Sequence, residues 1–422
     1  MKQLFCTIIC CFITLWGYGA NLVKISKPGD FKSKVKIPDC IYEISCSIDL
    51  MQGCVEIPAN CIIRFQNGDI RNGKLIGNNT TIENSGNLAI FRNVEIGDTP
   101  FQFINDKIFV DWFYGKDDSE KVQHAIDFSR KNRTPIDFLS RKYVFTRTVN
   151  IPIGQCLLRG TGCGGEYKEM GTRIVSAESF SSEYKGKPLF YITGESSNQN
   201  TTKGMVSGRV TGISFSTGRR NDVFQFYLPG GPSRPFYIDY CQFSGCATAI
   251  RVIDNGTSTA LGFLYVEHCT MTGNKWNIIA CGRHSLLGLY FRNNVAEQCD
   301  GNINLGYTED YSKSPYSKFS PKQRDYAASA NIVICDNLLE GTVDCIYING
   351  GKCVVNIERN YFETSRKQFV VLSFSTHDSY VTFNNNYISK KGNVFLRLDN
   401  CSYVVQEEIS GNDLSLRMAN KM

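Results

Sequence analysis

One short pattern returns six times in the C-terminal half of this chain: an apolar residue, two mostly polar ones, then Asn or Cys, and another apolar residue two further on. It reads Ile238-Asp239-Tyr240-Cys241-Gln242-Phe243, Val266-Glu267-His268-Cys269-Thr270-Met271, Phe291-Arg292-Asn293-Asn294-Val295-Ala296, Ile334-Cys335-Asp336-Asn337-Leu338-Leu339, Ile357-Glu358-Arg359-Asn360-Tyr361-Phe362 and Phe383-Asn384-Asn385-Asn386-Tyr387-Ile388. Counted at the Cys or Asn, the steps are 28, 25, 43, 23 and 26 residues. Short β-type runs at such a period predict a stacked solenoid, because one coil cannot bury its own apolar face. Parallel stacking sets equivalent residues about 4.8 Å apart, so the pattern becomes columns: one aliphatic or aromatic, one of Asn and Cys at a bend, and a second aliphatic one. Asn suits the bend because it tolerates the left-handed conformation and its amide can bond the Asn above and below. A β-sandwich would show hairpins with tight two-residue turns, and no regular run of them is present. The expected fold is all-β, a right-handed parallel β-helix.

Residues 1–19 read as a secretory signal. Lys2 precedes an apolar run from Leu4 to Trp16, with Gly17 and Gly19 at a cleavage site. Cys10 and Cys11 lie inside the run, too early for a lipoprotein, and the run is shorter than the ~20 residues of a spanning helix. The chain is thus expected to be exported, to the periplasm, the cell surface or the medium, with no transmembrane segment. The formal charge of +6 loses one unit with Lys2. So mild an excess is compatible with an acidic glycan and far too small for nucleic acid.

Of the 18 cysteines, Cys6, Cys10 and Cys11 belong to the signal. Cys241 and Cys269 fall in a core-facing column, where a thiol packs as a small hydrophobe. Cys40, Cys46, Cys54 and Cys61 are the ones expected to pair. No CxxC and no His cluster gives metal-ligand spacing, so no metal site is predicted.

From Tyr42 to Ile96 brief strand-like pieces alternate with Gly and Asn turns, which fits small opening coils or a cap over residues 20–108. The solenoid is expected over 109–422. It begins with the one convincing helix, where Asp117 can cap, Glu120 can complete a capping box, and Val122, Ala125 and Ile126 form an apolar stripe that would cover the open core.

Trp112-Phe113-Tyr114-Gly115-Lys116-Asp117-Asp118-Ser119, Gln123, Ala125-Ile126, Tyr143-Val144-Phe145, Val149-Asn150-Ile151-Pro152 and Leu157-Leu158-Arg159-Gly160-Thr161-Gly162 together resemble the N-terminal signature of the pectate-lyase-like superfamily. The stretch Pro58 to Phe91 resembles an extra module found ahead of it in exported proteins of gut Bacteroidetes. Ser140-Arg141-Lys142 stands where the family has Pro-Gly before the Tyr, which marks a divergent member. The resemblance implies a β-helix that meets polysaccharide.

Two outward ladders carry the candidate chemistry. Glu297, Glu340 and Glu363 each lie three residues after the column Asn. Stacked carboxylates repel, a condition that suits one of them to proton donation, although glutamates bonded to turn amides would give the same pattern. The second ladder is read at the next turn: Trp276 and Asn277, Asp300, Asp344, Arg366, Lys367 and Arg397. Carboxylates can move protons, Arg and Lys can hold an acidic sugar, and Trp can stack on a sugar face.

Asp344-Cys345-Ile346 is similar to the tail of the polygalacturonase Asp-Asp-Cys-hydrophobic motif. Val343 replaces the first Asp, no Gly-His-Gly follows, and Arg397-Leu398-Asp399 lacks the Lys of Arg-x-Lys, which together argue against that mechanism. Two carboxylates on neighbouring coils still suit a glycosidase, and Lys367 or Arg366 as base suits a lyase. Salt-bridged surface turns would explain the same residues.

The step of 43 contains an insertion between Gly306 and Ala327 rich in Tyr and charge. Its Tyr311 and Tyr316 are expected to stack on sugars. Of the four dispersed histidines only His268, beside Glu267, invites a test.

The expectation is an exported glycoside hydrolase or polysaccharide lyase acting on an acidic glycan. Its acid/base candidates are Asp300, Asp344 and Lys367. Trp276, Arg366, Arg397, Glu297, Glu340, Glu363, Tyr311 and Tyr316 would bind substrate, and Ca²⁺ would enter only with lyase chemistry. The alternative is a glycan-binding adhesin or receptor-binding protein without catalysis.

Overall fold

The computed structural model describes residues 21–84, 89–97, 99, 102–152, 157–163, 170–183, 187–193, 208–227, 235–253, 261–281, 286–306, 331–341, 344–363, 367–374, 378–389, 393–406 and 414–419. The signal-like segment 1–19 and the insertion 307–326 lie outside them. The chain divides into two compact units, Met1–Asp106 with Trp112–Tyr114, and Lys107–Asp111 with Gly115–Met422.

The first unit is made of small coils. Asn21–Ile25, Cys40–Ile44, Ile62–Phe65 and Thr81–Asn84 form one parallel sheet, while Ser47–Asp49, Cys54–Glu56 and Phe91–Ile96 pair with Asp69–Ile76 in another. Ile25, Tyr42, Ile44, Ile63, Phe65, Ile70 and Leu75 fill the interior. One corner carries a stack of left-handed residues, Asp39, Asn60 and Asn79. Asn60 Nδ2 donates to Asp39 Oδ1 at 3.0 Å and Asn79 Nδ2 to Asn60 Oδ1 at 2.7 Å.

The second unit is the parallel β-helix that the repeat predicts. Each coil supplies one strand to each of three long sheets, and every strand pairing among the described residues is parallel. Sheet I runs from Ile108–Phe109 to Ser402–Gln406, sheet II from Lys142–Phe145 to Tyr387–Ile388, and sheet III from Val149–Pro152 to Leu414–Ala419. Inward residues form unbroken apolar columns. In sheet I, Leu158, Val210, Ile238, Val266, Phe291, Ile334, Ile357 and Phe383 stand in register. In sheet II the column is Tyr143, Ile174, Phe215, Phe243, Met271, Ala296, Leu339, Phe362 and Ile388. All are buried, and each large side chain so placed contributes roughly 1.5–3 kcal/mol.

Cys241, Cys269, Asn294, Asn337, Asn360 and Asn386 stack at the corner between sheets I and II, coil upon coil. The left-handed residue at this corner is the one before, Tyr240, His268, Asn293, Asp336, Arg359 or Asn385. That corrects the expected role of the column. The turn forces the outward-facing residue to positive φ, while the column residue points in and is buried. Its amide instead bonds along the stack and back to the carbonyl of the preceding coil.

The helix Asp118–Asn132 packs on the first coil, against Lys142–Phe145 and Val149–Pro152. Asp117 caps it, accepting from the Glu120 N–H at 2.9 Å, and Glu120 Oε2 accepts from the Lys116 N–H at 2.5 Å, one residue before the usual capping-box partner. Val122, Ala125, Ile126 and Phe128 face the core. The family-divergent Arg141 has a clear local purpose. Its guanidinium reaches Asp111 at 2.7 Å and Asp118 at 3.0 Å and lies over the Tyr143 ring, pinning the start of the helix to the first coil.

All fourteen cysteines among the described residues are free thiols. This corrects the pairing expected of Cys40, Cys46, Cys54 and Cys61: Cys40 and Cys61 are buried as small core residues, whereas Cys54 is exposed. No described helix is long and apolar enough to cross a membrane.

Candidate functional site

Alternation along a strand puts the residues flanking each inward one on the outer face. On sheet II the last outward position is Ser244, Thr272, Glu297, Glu340 and Glu363, all in register. Three carboxylates therefore stand on consecutive coils, about 4.8 Å apart along the stack. Among the described residues no cation forms an ion pair with Glu297 or Glu363. On the same face Tyr361 and Tyr387 stack at 4.8 Å, their planes 6° apart. The Tyr361 phenol sits above its ordinary range, pushed up by desolvation and then by the Glu363 carboxylate, which also accepts its hydroxyl proton.

Around the next corner, Trp276, Gly301 and Asp344 share one register at the start of sheet III. The indole lies across Gly301, where a Cβ would come 2.2 Å from Cζ3, and packs against Ile279 and Cys281. Its main partner is thus a small apolar cluster on the sheet, not an open sugar-stacking position. Asn277 is buried inside, receiving Asn274 Nδ2 at 2.8 Å and donating to Asn302 Oδ1 at 2.6 Å.

The remaining members of the second ladder fall elsewhere. Asp300 sits in the corner itself, paired with Arg219. Counting back from the Ile346 and Val370 pair, Lys367 stands level with residue 343, one place short of Asp344. Arg397 pairs in register with Val371, and Val371 with Tyr347, so it lies three residues along from Asp344. Its guanidinium is held by Asp399 at 2.8 Å. The side chains of Asp344 and Lys367, and all of Arg366, Tyr311 and Tyr316, lie outside the described residues. No group of three or more metal-ligating side chains is present among those described.

Sheet I carries an outer row that the sequence reading passed over. Tyr237, Tyr265 and Tyr290 stack at 4.6 Å intervals, with Phe263 tilted beside them. Arg209 pairs with Asp239 and Arg292 with Glu267 along the edge of this row. The signal was available: each Tyr lies four residues before its column Cys or Asn. His268, singled out from the sequence, stacks on Tyr240 at 4.9 Å.

Fold and faces together define a parallel β-helix with a carboxylate-bearing outer sheet. No family model matches the chain, and no curated protein matches it.

Proposed function

We propose that the protein is an exported glycoside hydrolase acting on a polysaccharide laid along sheet II. The observation that carries this reading is the row Glu297, Glu340, Glu363. Like charges one coil apart disfavour one another, and neighbouring carboxylates in the row are spaced near the roughly 5–5.5 Å that separates acid and nucleophile in a retaining glycosidase. Glu340, with a carboxylate on either side, is assigned to proton donation toward the glycosidic oxygen. Glu297 or Glu363 attacks the anomeric carbon, and water then releases the sugar as the proton returns to Glu340.

Asp300 is not used, because Arg219 already engages it. An acidic glycan finds less support than a neutral one: Arg219, Arg292, Arg359 and Arg397 are each tied to a carboxylate. Export rests on the signal-like residues 1–19.

The test is a reducing-end assay over pectic, host and algal glycans, read alongside absorbance for unsaturated uronates. New reducing ends without unsaturation, abolished in Glu340→Gln, support hydrolysis. Unsaturated products would make it a lyase, and binding without turnover would leave a glycan-binding protein.

A further inference from the structure

The corner between sheets I and II repeats the same backbone at every coil, and most coils meet its positive φ with Gly212, Asn293, Asp336 or Asn385. Two coils use rings instead. Tyr240 has φ 51° and His268 φ 54°, a conformation that bulky residues rarely adopt. Burial does not compensate, since Tyr240 is 57% exposed. The rings lie nearly parallel, 8° apart, so His268 backs one face of the phenol. Its other face looks toward the preceding coil, whose corner residue is Gly212 and has no side chain to cover it. Arg209 and Asp239 flank the ring as a closed ion pair, and Glu267 is engaged by Arg292. Charges that cancel in this way leave hydrogen-bonding groups without a net field.

We infer that Tyr240, backed by His268 and open above Gly212, is a stacking platform for a pyranose ring of a neutral polysaccharide, with Arg209 and Asp239 bonding the sugar hydroxyls. A flat ring face beside fixed polar groups is the arrangement that receives the C–H face of a sugar and orients its hydroxyls. The inference rests on the polysaccharide reading above but not on the carboxylate row.

Affinity gel electrophoresis of the full chain with xylan, glucomannan, dextran and polygalacturonate tests it, using Tyr240→Asn and Glu340→Gln. Asn already serves this corner at 293 and 385, so Tyr240→Asn keeps the fold, checked by an unfolding midpoint equal to or above that of the parent. The expected result is retardation of the parent and of Glu340→Gln by at least one neutral glycan, with at least tenfold weaker binding in Tyr240→Asn. Equal retardation of Tyr240→Asn overturns the platform and leaves the hydrolase reading standing. Retardation by polygalacturonate alone overturns the neutral assignment, and a parent retarded by none overturns platform and polysaccharide reading together.

Discussion

Asn337 and Asn360 occupy the same corner on consecutive coils, with Nδ2 of the first 2.8 Å from Oδ1 of the second. That oxygen also accepts the Asn337 backbone N–H at 3.1 Å, and Asn337 Nδ2 donates a second bond to the Phe291 carbonyl at 2.9 Å. One buried amide therefore ties three successive coils without any apolar contact of its own.

Replacing Asn337 with Ala strips an acceptor from Asn294 and a donor from both Phe291 and Asn360. Each buried polar group left unmade costs about 1–3 kcal/mol, so the variant is expected to lose about 3 kcal/mol in urea unfolding. A loss below about 1 kcal/mol would show that the amide stack merely accompanies the fold.

Gly301→Ala sets a methyl group inside the Trp276 ring. Overpacking of this kind costs about 1–3 kcal/mol, read as a lower melting temperature. Adding Trp276→Leu should recover most of the loss. If Gly301→Ala alone melts with the parent, the indole does not rest on that strand.

Glu340→Gln removes the central charge from a row of like charges. Turnover is expected to fall by about 10²–10⁴-fold, while the melting temperature stays level or rises. A lower melting temperature with activity intact would assign Glu340 to the turn and not to chemistry.

Burial pushes the Cys345 and Cys353 thiols up to about 12 and raises Cys241, Cys246 and Cys269 as well. In the unfolded chain these groups ionise near their ordinary value of 9.0. Above that pH the folded state holds protons that the unfolded state has released, so stability is full below pH 9 and declines as pH rises toward 12. Urea midpoints at pH 8, 9 and 10 should fall in that order. The slope should flatten in Cys345→Ala, and an unchanged slope would mean that this thiol is not sequestered. Iodoacetamide at pH 8 should label Cys54 in the folded protein and spare Cys345.

The repeat was legible because the column fixes a phase. Trp276, Gly301 and Asp344 each lie seven residues after Cys269, Asn294 and Asn337, and the structure stacks them. Asp300 lies six after and Arg397 eleven after their column residues, so counting alone separates them from that row. Orientation was not legible. A string of letters does not say whether Asn or the residue before it turns inward, and so the left-handed position was placed one residue late. The tyrosines of sheet I went unread because they precede the column, where attention to residues following each Asn does not reach. The thiols misled for a physical reason: an exported chain commonly spends cysteines on crosslinks, whereas Cys40 and Cys61 here serve as core volume.

The helix Asp118–Asn132 covers one side of the stack, but Tyr403, level with the fully buried Val381, remains 42% exposed in the last described strand of sheet I. Where cohesion passes only between neighbours, such asymmetry gives dismantling a direction. Coils should peel from the Tyr403 side toward the helix like a zip drawn from one end, so amide protection would climb steadily along the axis and the segments nearest the helix would be the last to surrender theirs.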